Sequence, residues 1–70
     1  MKTLPSDISS EVSRHLHNFS VNPGWNSTTS KDVAKGLLES EWVFCNGRMR
    51  DIRAKHLGLG VYKVFTEERP

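Results

Sequence analysis

The chain of 70 residues is poor in cysteine, in aromatic side chains and in long apolar runs. Its one cysteine, Cys45, excludes an internal disulfide. With two Trp, one Tyr and three Phe, a folded core needs most of the aromatic side chains. No segment approaches the roughly 18 apolar residues of a membrane-spanning helix, so we expect no membrane partner.

The length predicts a single small domain, 1–70, with an ordered core over about 6–66. Such a chain is near the lower limit at which a protein folds on its own core, and a homodimer would supply further burial. The segment 1–7 has one lysine and no apolar stretch after it, unlike a signal peptide. A lone cysteine also suits a reducing compartment, so we expect a cytoplasmic protein.

Charge is the more informative property. The net charge is only +2, but four of the ten Lys and Arg residues fall within the eight positions 48–55. Segment 42–63 carries five cations against Asp51 alone, while the segments on either side are slightly acidic. This segregation predicts one electropositive face on the folded protein.

Two helices are predicted from the spacing of apolar residues. The first, over 7–19, has an apolar face formed by Ile8, Val12, Leu16 and Phe19. The second follows Thr29–Asp32, which resembles a capping box, and has an apolar stripe formed by Val33, Ala34, Leu37 and Leu38. The segment 20–29 between them contains Asn22-Pro23-Gly24, a turn signal, and is predicted to be a loop.

The dipeptide Asn46-Gly47 has two interpretations. Asn-Gly is the strongest short signal for a tight hairpin, which would pair 42–45 with 48–51. Alternatively, Asn46 caps a third helix over 47–57, which Gly58 ends. As a strand, the segment would place Arg48, Arg50 and Ile52 on the same side, which is a poor alternation of polar and apolar residues. We therefore favour the helix.

The fold class predicted on this basis is α+β: a small three-helix domain with a two-stranded antiparallel β element. The two strands would be 42–45 and 61–65, rich in β-branched and aromatic residues. The arrangement is similar to that of winged-helix domains, although the tight helix-turn-helix connection is missing. Gly58-Leu59-Gly60 precedes a strand and so is predicted to be a turn rather than a phosphate loop. The tail 66–70 is predicted to be frayed.

Residues with catalytic or metal-binding chemistry are few and poorly spaced. His15 and His17 point about 200° apart on a helix and cannot chelate together. His56 and Cys45 complete no metal-ligand motif, and Cys45 has no group to orient a catalytic partner. We expect no catalytic residues, no metal and no cofactor, and hence no enzyme.

The segregated charge favours a small DNA-binding regulatory protein, active in transcription regulation, whose basic helix 47–57 contacts double-stranded DNA. Arg50 would reach a base edge, and the other cations would contact phosphates. The predicted nucleic-acid-binding residues are Arg48, Arg50, Arg53, Lys55, Lys31, Lys35 and Lys63. The alternative is a protein-binding module or inhibitor that uses the same basic face on an acidic protein partner.

Trp25 lies in a polar loop, where it either covers the core as a lid or anchors a protein partner. We favour the lid, because so small a domain needs the buried area. The remaining core is predicted from the apolar faces: Ile8, Val12, Leu16, Phe19, Val33, Leu37, Leu38, Ile52, Val61 and Phe65.

Overall fold

A computed structural model of the chain describes residues 6–69. Its elements, in chain order, are α1 (Ser6–Val21), β1 (Asn26–Ser30), α2 (Lys31–Glu39), β2 (Trp42–Cys45), β3 (Arg48–Gly58) and β4 (Val61–Glu68). The strands form one antiparallel sheet in the order β1-β4-β3-β2. Both helices contribute to the core cluster on one face of this sheet.

The predicted fold class is wrong, because the described chain has two helices and a four-stranded curled sheet. The predicted third helix, 47–57, is almost entirely strand β3. The hairpin alternative is confirmed: β2 pairs with 48–51 in the expected register, from Cys45 opposite Arg48 to Trp42 opposite Asp51. The fold is therefore not winged-helix-like.

The turn between β2 and β3 has the geometry that Asn-Gly favours. Asn46 has φ of 55° and Gly47 has φ of 77°. Two consecutive residues at positive φ match the right-handed twist of the flanking strands, and Asn and Gly adopt this conformation most readily. The local turn preference therefore outweighs the imperfect alternation that favoured a helix.

The predicted direct pairing between 42–45 and 61–65 is wrong, because strand β3 lies between these two segments in the sheet. Strand β4 pairs with β3 on one side and with β1 on the other. On the opposite side of β3, strand β2 covers 48–51 and Ile52 N–H donates to the Glu41 carbonyl at 2.9 Å. Beyond this bond, the edge of β3 over 53–58 has no neighbouring strand among the described residues.

The segment predicted to be a loop, 20–29, contains most of β1 (Asn26–Ser30), which the sequence analysis missed. Its sequence, Asn-Ser-Thr-Thr-Ser, has no apolar residue, yet Ser27 and Thr29 are buried against the helices. Residues 66–68, predicted to be part of a frayed tail, belong instead to β4, where Thr66 is buried. In both places hydroxyl side chains occupy inward positions of a strand, where an apolar pattern was sought.

The two helices are confirmed, and each extends slightly beyond its apolar pattern. Five predicted core residues are buried: Val12, Phe19, Val33, Leu37 and Ile52. Another three are partly buried: Ile8, Leu16 and Phe65. Leu38 and Val61 are exposed, at 40% and 37%, so their assignment to the core is wrong.

The sequence analysis assigned Val61 to the wrong face of strand β4. Strand β4 turns Tyr62, Val64 and Thr66 toward the helices, and Val64 is fully buried. Because successive side chains of a strand point to opposite faces, this choice directs Val61 and Phe65 away from the helices. The residues 1–5 and Pro70, which belong to the expected N-terminal segment and tail, lie outside the described residues.

Candidate nucleic-acid interface

One face of the sheet is opposite the helices, and we call it the outer face. Alternation along β3 and β4 and the burial of Ile52 and Val64 on the other side define this face. Its members on β3 and β4 are Met49, Asp51, Arg53, Lys55, Val61, Lys63, Phe65 and Glu67. It contains both exposed cations and apolar side chains.

Three cations on the outer face form what we call the cationic strip: Arg53, Lys55 and Lys63. The sheet register places Lys55 directly opposite Lys63, and Arg53 opposite Phe65. Like charges in such a cross-strand pair repel each other and destabilise the pairing. Among residues 6–69, no carboxylate lies within 4.0 Å of either lysine, so this repulsion has no local compensation.

The other contacts of the cationic strip are weak. Arg53 Nε lies 3.6 Å from Glu67 Oε1, in an exposed ion pair. Lys63 Nζ lies 5.6 Å from the ring centroid of Phe65, at the outer limit of a cation–π contact. Exposed pairs of this kind stabilise a fold by at most about 1 kcal/mol, so an anionic ligand can displace them.

Arg50, predicted to read a base edge, faces the opposite side of the sheet and supports the fold there. Its Nε donates to Thr66 Oγ1 at 2.8 Å, and its Nη2 donates to the Thr66 carbonyl at 3.0 Å. Thr66 Oγ1 in turn donates to the Pro23 carbonyl at 3.3 Å. This chain of bonds joins β3, β4 and the loop before β1, and it occupies the guanidinium.

The remaining predicted cations are also separated from the cationic strip. Arg48 shares the side of Arg50, where its Nη1 lies 3.3 Å from Glu68 Oε1. Lys31 and Lys35 are exposed on α2, which packs on the inner face of the sheet. The structure therefore brings together three of the seven predicted cations.

The end of the outer face beside β2 is close to neutral. Arg69 donates to Asp51 Oδ1 from Nη2 at 2.6 Å and from Nε at 3.1 Å. These hydrogen bonds lower the pKa of Asp51 and raise the pKa of Arg69. Next to them, the exposed rings of Trp42 and Phe44 meet edge to face, with centroids 5.1 Å apart. Uncompensated positive charge is therefore concentrated at the other end of the face, toward the β3–β4 turn.

That turn carries a feature that the sequence analysis missed. Leu59 is fully exposed and has φ of 55°, and Gly60 follows it with φ of 73°. Its neighbours Leu57 and Val61 are 52% and 37% exposed. A leucine between two glycines was the available signal.

His15, His56 and Cys45 are each buried or in contact with a neighbouring side chain. His15 is buried and its Nδ1 lies 2.7 Å from Ser27 Oγ. Desolvation, followed by the charge of Arg14, lowers the pKa of His15. His56 is exposed and its ring lies over Tyr62, with centroids 4.6 Å apart. Cys45 is buried, and residues 6–69 contain no group of three His, Cys, Asp or Glu residues that could hold a metal ion.

Trp25, for which a lid and a partner anchor were both considered, packs against the core and is partly buried. Its Nε1 is buried without a hydrogen-bond partner among the described residues. This environment suits the lid better than an exposed anchor. Whether Trp25 also meets a partner stays a prediction.

Comparison with protein-family models, with curated proteins and with solved structures gives no significant match. No helix within residues 6–69 is long and apolar enough to cross a membrane.

Proposed function

We propose that the protein binds double-stranded DNA through the outer face of its sheet, with the cationic strip against the phosphate backbone. The observation that carries the proposal is the cross-strand pair of Lys55 and Lys63, which has no carboxylate within reach among the described residues. Such a pair weakens the isolated fold, and a phosphate placed between the two ammonium groups would relieve the repulsion.

Each residue of the cationic strip has a distinct role in this proposal. Lys55 and Lys63 neutralise phosphates, which supplies affinity without sequence preference. Arg53 is held by a single exposed ion pair to Glu67 and can exchange it for the edge of a guanine, for which its planar fork is suited. Some DNA-binding proteins contact the major or the minor groove with the strands of a sheet, and β3 and β4 are the central strands of this sheet.

The contacts of the aromatic rings on the outer face favour duplex DNA over a single strand as the ligand. Proteins that hold single strands offer open ring faces on which bases stack. Here the cation of Lys63 lies over Phe65, and Trp42 and Phe44 meet edge to face. Each of these rings therefore already has a contact with a neighbouring side chain.

The proposal retains the regulatory role and the cytoplasmic location expected from the sequence. A two-fold dimer would present two cationic strips to one duplex, as dimeric DNA-binding proteins do. Binding through a basic helix is replaced by binding through the sheet, because 47–57 is not helical.

The test is the salt dependence of binding to a fluorescent DNA duplex, measured by anisotropy. Lys55→Gln and Lys63→Gln should each reduce the slope of log K against log salt by about one unit. The matched control is Lys35→Gln, an equally conservative change on the helical side, which should leave the slope unchanged. Absence of binding to duplex DNA at low salt would overturn the proposal.

An acidic protein is the second candidate partner, favoured by one observation. Trp42 and Phe44 are exposed, at 40% and 53%, on the same outer face as the cations. Aromatic side chains of this kind anchor protein interfaces. For a protein partner, Trp42→Ala should weaken binding more than Lys63→Gln does, whereas DNA binding should show the reverse order.

A further inference from the structure

The β3–β4 turn has an unfavourable residue at its tip. Leu59 adopts the left-handed conformation, with φ of 55°, in which a bulky side chain is disfavoured. It is also fully exposed to water, so it gains no burial within residues 6–69. Neither the backbone nor the packing of this part of the chain explains a leucine here.

The other hairpin of the same protein provides an internal comparison. Asn46 and Gly47 occupy the corresponding turn positions, with φ of 55° and 77°, against 55° and 73° for Leu59 and Gly60. The β2–β3 hairpin, whose register has no shift, thus uses asparagine, the favoured residue, whereas the β3–β4 register shifts between His56 and Gly58 just before Leu59. Strained positions that a protein retains are often functional.

The surroundings of Leu59 indicate the chemistry of a ligand. Leu57 and Val61 are exposed beside it, so the tip as a whole is apolar. The opposed Lys55 and Lys63 lie one residue pair behind the stacked His56 and Tyr62. An apolar tip with cations behind it is complementary to a ligand that has an apolar interior and an anionic rim.

We propose that Leu59 is a wedge that enters between two stacked base pairs of duplex DNA while the cationic strip holds the adjoining phosphates. The inference rests on the proposed function and specifies it further. Proteins that kink DNA insert an apolar side chain such as leucine between base steps and partly unstack them. The preferred site then contains a step that unstacks easily, such as TA or CA/TG.

An anionic lipid bilayer has a similar chemistry, but the placement of the cations favours DNA. All three residues of the cationic strip lie on the outer face of the sheet. The inner face behind the tip presents His56 and Tyr62 instead. A hairpin with cations on one face suits a ligand that passes along that face, whereas a hairpin inserted in a bilayer meets headgroups on all sides.

The experiment uses the full chain and a duplex with 2-aminopurine at a central TA step, whose fluorescence rises when the base unstacks. The wild-type protein should raise this fluorescence. Leu59→Asn, which restores the residue found in the other turn, should abolish the rise. It should also weaken binding by about tenfold while leaving the salt slope unchanged. Leu59→Met keeps an apolar wedge and should retain both effects.

The outcomes separate the wedge from the interface. If Leu59→Asn retains the fluorescence rise and the affinity, the wedge is overturned and the cationic strip stands as the interface. If the wild-type protein does not bind the duplex, the wedge and the proposed function both fail. Binding to phosphatidylglycerol vesicles that Leu59→Asn abolishes would, in that case, assign the tip to a membrane surface.

Discussion

Arg50 illustrates how far residue type alone defines a role. Its place in a cationic run made it the leading candidate for a base contact, yet it donates twice to Thr66 within the fold. Lys55, only five positions away, faces the opposite side without a carboxylate within 4.0 Å among the described residues. An odd or an even position along the strand decides which face of the sheet a side chain occupies, and hence which of these roles it has. This alternation can be applied only once the segment is known to be a strand.

A second residue, His15, gives the fold a pH dependence. Desolvation lowers the pKa of His15 below its ordinary value of about 6.5, so the folded state binds its proton less readily than the unfolded state. The contribution of His15 to stability is therefore complete above pH 6.5 and is lost as the pH falls from 6.5 through the folded pKa.

We expect the free energy of unfolding, measured in urea, to decrease between about pH 7 and pH 5 through this residue. His15→Gln keeps a polar group near Ser27 but cannot titrate, so its stability curve should be flatter over this interval. His17→Gln, an exposed change on the same helix, is the control and should keep the wild-type slope. Equal slopes in all three proteins would contradict the assignment to His15.

Among the elements, the helices and strands β1 and β3 show what local sequence can and cannot predict. The helices were found because their apolar residues recur at helical spacing along a full face. Strand β3 was taken for a helix because Arg50 occupies an inward position, where its hydrogen bonds to Thr66 compensate for its polarity. Strand β1 was missed because an inward position carries Ser27 rather than an apolar residue. The hydroxyl of Ser27 is hydrogen-bonded to His15, which is distant in sequence. Only tertiary contacts make these residues compatible with strands.

The turns themselves provide a stability test. Leu59→Asn should stabilise the protein by about 0.5–1 kcal/mol, because asparagine tolerates the left-handed conformation that strains leucine. The reciprocal change, Asn46→Leu, should destabilise it by a similar amount. Both are measured by urea unfolding. A loss of stability in Leu59→Asn would show that the leucine supports the fold, and would weaken its assignment as a wedge.

On the scale of the whole molecule, the sheet separates two surfaces that the sequence mixes. Outward and inward residues alternate through 48–55, so a single basic run is divided between the outer face and the helix-facing side. The excess of positive charge was predictable from composition. Its division into a cationic strip and a set of structural arginines required the strand register.

The core is small enough for single residues to matter. Leu37 is fully buried and Leu38 is 40% exposed, although the helical pattern assigned both to the core. Leu37→Ala should cost about 2–5 kcal/mol, a large part of the stability of so small a domain. Leu38→Ala is the matched control and should cost about 1 kcal/mol or less. Thermal unfolding distinguishes them, and equal losses would place both side chains in the core.

The unpaired edge of β3 over 53–58 has a consequence for the behaviour of the protein at high concentration. An exposed strand edge is a template for pairing with another chain, and proteins commonly protect such edges with lysine. Lys55 lies in this segment, so its charge opposes edge-to-edge aggregation. A ligand that neutralises Lys55 would remove that protection unless it also covered the edge. If the outer face binds DNA as proposed, the colloidal stability of the protein would depend on the occupancy of that face.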